Sequence, residues 1–250
     1  MPFVDLSGNH VRYREAGGGG SPVLFIHGAG ASSAIWLPAL HRVAPRQRAV
    51  AFDLPGHGRS TGACRSFDDW LAATTGTAAA LCLGPSVLVG HSLGGLVAQA
   101  AALAYPDKVA GLVLVTTAAR LAVSSRLLDR IENDWLHWPD YVQEMSYSPD
   151  TAAEIRRRSA GLAFTSEQAQ TLADFLAAGG FDARPRLGEI RCPTLVIAGT
   201  KDQMVPLKFC ASLAEGIPGA QLVELAAGHF PMHEQPDAFA TALLDFLGRV

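Results

Sequence analysis

The sequence lacks any long uninterrupted apolar run: the stretch from Leu93 to Tyr105 is stopped by Pro106 and Asp107, well short of the ~20 residues that a membrane-spanning helix needs. Met1-Pro2-Phe3-Val4-Asp5 also lacks the basic-then-apolar layout of a secretory signal, so a soluble, cytoplasmic protein is expected. No excess of one charge is present. Twenty Lys and Arg stand against 23 Asp and Glu, for a net charge of −3, which supplies no general attraction to nucleic acid or to an anionic membrane and favours a small-molecule partner. Cysteine is scarce. Cys64, Cys82, Cys192 and Cys210 are scattered with no Cys-x-x-Cys pair, which argues against a zinc site or a disulfide framework and predicts buried free thiols.

What is abundant points to a compact globular chain: 49% hydrophobic residues, 17% charged residues and 25 glycines fit one enzyme-sized unit with many tight turns. Short β-rich runs alternate with helical patterns, the layout of an α/β fold whose mostly parallel sheet is covered on both faces. Val4–Leu6 and Val11–Arg14 flank the turn Ser7-Gly8-Asn9 as an opening hairpin. Val23–Ile26, Ala49–Phe52, Val87–Val89, Leu112–Val115, Leu195–Ala198 and Gln221–Leu225 bring the expected strands to eight, several being apolar throughout, as doubly buried strands require. Ser66 followed by Asp69 predicts a capped helix running to about Leu83, and Phe239, Leu243 and Phe246 recur at helical spacing near the end. Gly17-Gly18-Gly19-Gly20 reads as a turn and not a phosphate loop, since no helix follows it directly. Residues 120–185 contain no convincing buried strand and are too long for a loop. They read as a helical lid inserted into a single domain whose core is 1–119 and 186–250.

The chemistry concentrates in Val87-Leu88-Val89-Gly90-His91-Ser92-Leu93-Gly94-Gly95: a buried strand, a Gly-x-Ser-x-Gly turn, then a helix from Leu93 to Tyr105. A serine on so sharp a turn needs small neighbours, and Gly90 and Gly94 meet that need. Ser92 would project at a helix N-terminus, where free N–H groups favour developing negative charge. A hydroxyl is a weak nucleophile, so a base and an orienting carboxylate are required. His229, in Gly228-His229-Phe230-Pro231 just beyond the last strand, is the best-placed base, ahead of His233, His27, His57, His91, His10, His41 and His137. Asp202, just past the strand Leu195–Ala198, is the best-placed carboxylate, because the sixth strand ends in Thr116-Thr117-Ala118-Ala119 and offers no acid. The backbone N–H groups of Leu93 and of Ala29, in His27-Gly28-Ala29-Gly30, are the candidate oxyanion donors. A plain strand-to-helix turn is the alternative for the Ala29 loop.

Together with Asp53-Leu54-Pro55-Gly56-His57-Gly58-Arg59-Ser60, Lys201-Asp202 and the Glu234-Gln235-Pro236 that follows Gly228-His229, these motifs resemble the α/β-hydrolase superfamily over essentially the whole chain. The resemblance implies a Ser-Asp-His hydrolase with no cofactor and no metal, acting on a small carboxylic ester, lactone or related acyl substrate. In the superfamily the Asp53–Ser60 stretch is a structural loop near the active site. Members that open epoxides or displace halide carry aspartate where Ser92 stands, which argues against those activities. C–C bond hydrolysis of diketone-like compounds, peracid formation and a non-catalytic ligand receptor remain alternatives, and fold analogy cannot choose among them. His233 and the alanine-rich helix after Ser66 are mild departures from the pattern.

The lid contains Trp135, Trp138, Tyr141, Met145, Tyr147, Phe164, Phe175 and Phe181, more aromatic surface than a solvated insertion needs. An apolar substrate cleft is expected, with Trp135, Trp138, Tyr141 and Met145 as candidate lining residues; packing of the same residues on the core is the alternative. Arg156-Arg157-Arg158 could attract an acidic substrate. Consecutive helical residues point ~100° apart, however, which favours a solvated face.

Overall fold

The computed structural model describes residues 2–6, 8–163 and 165–250. The strands are β1 (Phe3–Leu6), β2 (Asn9–Ala16), β3 (Val23–Ile26), β4 (Ala49–Phe52), β5 (Ser86–His91), β6 (Val109–Val115), β7 (Thr194–Gly199) and β8 (Gln221–Leu225). The α-helices are α1 (Leu37–Val43), α2 (Phe67–Ala80), α3 (Leu93–Ala104), α4 (Ser125–Asn133), α5 (Trp138–Ser146), α6 (Ala153–Ala163), α7 (Gln168–Ala178), α8 (Leu207–Gly216), α9 (Pro231–Glu234) and α10 (Pro236–Leu247).

The mainly apolar strands are buried at every position in β3, β4, β5 and β7, as strands covered on both faces must be. They sit in one eight-stranded sheet of order β1-β2-β4-β3-β5-β6-β7-β8. β1–β2 and β2–β4 are antiparallel and the other pairs parallel. Successive side chains on a strand point to opposite faces. Leu24 and Ile26 therefore join one apolar cluster with residues of α2, α3 and α8, while Val23 and Phe25 join another with residues of α1 and α10. β3 has β4 on one side and β5 on the other, so the chain reverses its progress across the sheet there. Such a switch opens a crevice at the carboxyl ends of the strands, and the residues after β3 and β5 border it.

Helix α2 carries the expected capping box, with Ser66 Oγ accepting from Asp69 N and Asp69 accepting from Ser66 N. It ends at Ala80, short of the expected Leu83, because Cys82 turns into the left-handed region at φ 50° and the Leu83 N–H folds back to Ala78 O at 2.9 Å. That position normally belongs to glycine. Cys82→Gly is expected to relieve ~1 kcal/mol of backbone strain and to raise the thermal midpoint by about 2–4 °C, read by calorimetry. Cys82 is also exposed and Cys192 half-buried, against the expectation of buried thiols throughout; Cys64 and Cys210 are buried.

Between β6 and β7 the chain forms α4 to α7. The Ala183 N–H donates to Ala119 O at 2.9 Å, so the insertion leaves the core and returns to it at neighbouring points. It has an apolar cluster of its own, Ile131, Trp138 and Val142, with Leu127, Trp135, Tyr141, Leu172 and Phe175 packed against it. Among the described residues, no helix is long and apolar enough to cross a membrane.

Candidate active site

Ser92 lies between β5 and α3 with φ 52° and ψ −117°, a conformation that costs ~1–3 kcal/mol for a non-glycine residue. The flanking glycines make it possible. A Cβ on Gly90 would sit 2.3 Å from Gly94 O, and one on Gly94 would sit 2.4 Å from Ile26 O, so neither position admits a side chain. The turn is held by Ser92 N–H donating to Val115 O at 3.0 Å and by Thr117 Oγ1 donating to Ser92 O at 2.7 Å. The serine hydroxyl is left to face the crevice.

Asp202 follows β7 and His229 follows β8, at the same sheet edge. Asp202 Oδ1 accepts from Met204 N at 2.8 Å and Val205 N at 2.9 Å, which aims Oδ2 at His229 Nδ1, 2.8 Å away. Both side chains are buried. An imidazole that donates its Nδ1–H to Asp202 keeps an Nε2 lone pair for a neighbouring hydroxyl. Ser92 and His229 border one small cavity with Ala29, Ala31, His91, Trp138, Val142, Ser146, Phe175, Met204 and Phe230. No hydrogen bond joins Ser92 to His229 among the described residues, a spacing common in hydrolytic sites without substrate. Among the described residues, the Ala29 and Leu93 N–H groups, just past the ends of β3 and β5, take part in no backbone hydrogen bond of the surrounding turns.

The main chain of His229 is fixed by residues outside the expected triad. His91 Nε2–H donates to His229 O at 2.8 Å, and Thr116 Oγ1 donates to the same oxygen at 2.9 Å. The His229 N–H donates to Ser146 O at 2.6 Å. His91 is held neutral, its pKa lowered by burial and then by the nearby His229. Glu234, quoted only as part of a motif, accepts from Gly228 N at 3.0 Å and from Ser148 N at 2.9 Å, tying the His229 loop to the chain after α5. No periodicity or motif announces these contacts.

The buried rival histidines are otherwise employed. His233 Nε2 donates to Ile35 O at 2.8 Å, and burial lowers its pKa. His27 is pushed down to about 4 by burial and then by His57; its neutral ring donates to Gly28 O and accepts from Leu54 N. His57 is the exception. Burial alone would lower its pKa, but the hydrogen bond and charge of Asp174 outweigh burial and raise it. Asp53 adds to the rise, and the neutral His27 ring lies 4.9 Å away. A histidine whose pKa is higher folded than unfolded stabilises the fold fully below its unfolded value of ~6.5 and loses that contribution as pH rises through the folded value. The stability gap between wild type and His57→Gln is therefore expected to be largest below pH ~6.5 and to shrink at higher pH, as urea titrations across pH would read.

Of the four expected lining residues only Trp138 borders the cavity. Trp138, Val142 and Ser146 recur every four residues on one face of α5, whereas Tyr141 and Met145 fall on the adjoining face. Trp135 stacks on Trp138 at 6.1 Å, and Arg130 lies over the Tyr141 ring at 4.7 Å. Phe175 borders the cavity, Tyr147 packs on Phe230, and Phe181 stacks on Phe67; Phe164 lies outside the described residues. Arg156 is spent on the carbonyls of Ser148, Pro149 and Thr151, while Arg157 and Arg158 are exposed. A cavity of about 270 Å³ between α2, α3 and β5 lies at the opposite sheet edge and touches none of these groups.

This arrangement has counterparts. The chain is 32% identical to a pimeloyl-acyl-carrier-protein methyl ester esterase of Neisseria meningitidis, covering 90% of this chain and 92% of the relative. It is 30% identical to a 2-hydroxy-6-oxo-2,4-heptadienoate hydrolase of Pseudomonas putida, covering 92% and 90%. The solved structure of an enol-lactonase from Burkholderia xenovorans superimposes with a TM-score of 0.92 at 25% identity, over 99% of this chain and all of that one. Residues 23–242, from β3 into α10, match the model of the alpha/beta hydrolase family, and with its sheet order and serine turn the chain belongs to that family.

Proposed function

We propose that the protein is a serine hydrolase that cleaves a small carboxylic ester, lactone or related acyl compound through an acyl-enzyme on Ser92. The observation that carries this reading is the strained Ser92 turn sharing one cavity with an imidazole that Asp202 orients at 2.8 Å. His229 takes the Ser92 proton as Oγ attacks the carbonyl; Asp202 stabilises the imidazolium; the Ala29 and Leu93 N–H groups receive the oxyanion. The leaving alcohol takes the proton from His229, which then activates water to release the acid. The names of the relatives support ester and lactone substrates, and the P. putida relative keeps C–C hydrolysis as the second reading.

The cavity over Ser92 measures about 20 Å³, room for about one water molecule. Residues 120–185 thus act as a lid on the single core domain, and the Trp138–Phe175 wall must give way to admit an acyl group. Purified protein screened against esters, lactones, thioesters and diketones tests the assignment. Turnover of an ester with a burst of released alcohol, or of a lactone to its hydroxy acid, supports it. Cleavage of diketones alone would replace it with the C–C reading, and no turnover by folded protein would replace it with a ligand receptor.

A further inference from the structure

One residue beside the proposed oxyanion hole is held almost entirely by the insertion. Gly30 follows Ala29 in the loop after β3 and adopts φ 66°. Its N–H donates to Asp174 Oδ2 of α7 at 2.8 Å, and its carbonyl accepts from Thr165 N at 3.0 Å and Ser166 N at 3.2 Å. A Cβ at Gly30 would lie 3.2 Å from Thr171 Oγ1, also on α7. Asp174 is itself clasped. His57 Nε2 donates to Oδ2 at 2.7 Å and Gln170 Nε2 to Oδ1 at 2.9 Å, while His57 Nδ1 donates to Pro55 O at 3.1 Å. Both ring nitrogens of His57 face oxygen acceptors, the arrangement in which an imidazolium offsets the charge of a carboxylate, and both side chains are 0% exposed. A bare carboxylate buried there would oppose an oxyanion nearby, so the neutralising partner matters as much as the hydrogen bond.

Building on the acyl-transfer reading, we propose that Asp174 is a positioning residue for catalysis. Backed by His57, it clamps the Gly30 peptide so that the preceding Ala29 N–H is aimed at the oxyanion, which makes the inserted helices part of the oxyanion hole. The lid is then more than a cover: α7 reaches the chemistry through one peptide unit. Seating of α7 and completion of the hole become one event.

The test uses the full chain and the best ester from the screen, once wild-type turnover has been shown to require Ser92. Asp174→Ala is expected to lower kcat by ~10²-fold, the order of losing one oxyanion donor, with KM changed less than about threefold. It should weaken a trifluoromethyl ketone, which forms a tetrahedral oxyanion on Ser92, by a similar factor while leaving binding of the product acid unchanged. Asp174→Asn should recover most of kcat, because an amide oxygen in the Oδ2 place still accepts from the Gly30 N–H and from His57 Nε2–H, while its NH₂ takes the Oδ1 place beside Gln170, whose side-chain amide can turn its oxygen to accept. If Asp174→Ala does not fold, Asp174→Asn decides alone: kcat within about fivefold of wild type supports the clamp, and a folded Asp174→Asn protein with a ~10²-fold loss overturns it. Equal weakening of the ketone and the product acid in Asp174→Ala would also overturn it, as the sign of a merely structural role. Absence of Ser92-dependent turnover in the wild type would instead defeat the underlying reading.

Discussion

Ser92→Ala is expected to lower kcat by ~10⁴- to 10⁶-fold while leaving KM within a few-fold and the thermal midpoint nearly unchanged. The separation of the two effects follows from the site. Oγ makes no hydrogen bond among the described residues, and the turn is held by its backbone, through Val115 O and Thr117 Oγ1. Removing the hydroxyl therefore deletes the nucleophile without loosening the fold. The Ala29 and Leu93 N–H groups survive any side-chain change and leave a residual rate above that of water. Progress curves and calorimetry on the same preparation read both quantities, and undiminished turnover would eliminate the mechanism.

Asp202→Asn is expected to cost about 10⁴-fold in kcat despite its near-identical shape. Asp202 Oδ1 accepts two backbone N–H groups, from Met204 and Val205, so the amide oxygen of an asparagine is bound to take that place. Its NH₂ group then faces His229 Nδ1, where the carboxylate had accepted an N–H hydrogen bond at 2.8 Å. Two donors cannot share one bond. The imidazole shifts to the tautomer protonated on Nε2, which points a hydrogen at Ser92 where a lone pair is needed. A loss below tenfold, measured as kcat at saturating ester, would show that His229 does not act as the base through this contact.

The sheet was legible because its strands are short apolar runs separated by turn residues, and the strand, turn and helix around Ser92 were legible for the same reason. Placement of Asp202 and His229 just past strands was enough to bring them to one edge. Contacts between distant segments were not legible. His57 and Asp174 are 117 residues apart, and nothing in either neighbourhood marks the other. His91 was read as a turn residue, yet it donates to the His229 carbonyl. In the insertion, aromatic content suggested a cleft without saying which face borders it. The spacing of Trp138, Val142 and Ser146 carries that information, whereas Trp135, Tyr141 and Met145 were chosen by residue type alone. Cys82 shows the limit from the other side: a cysteine occupies the left-handed cap of α2, where sequence rules look for glycine.

The central claim is that Ser92 forms a covalent bond to substrate-like electrophiles with the help of His229. Intact-protein mass spectrometry after treatment with an activated alkyl phosphonate, followed by peptide mapping, tests it most directly. The account predicts a single adduct per chain, located on Ser92, absent in Ser92→Ala and slowed by orders of magnitude in His229→Ala. An unlabelled but folded wild-type protein, or an adduct carried by another residue, would contradict it.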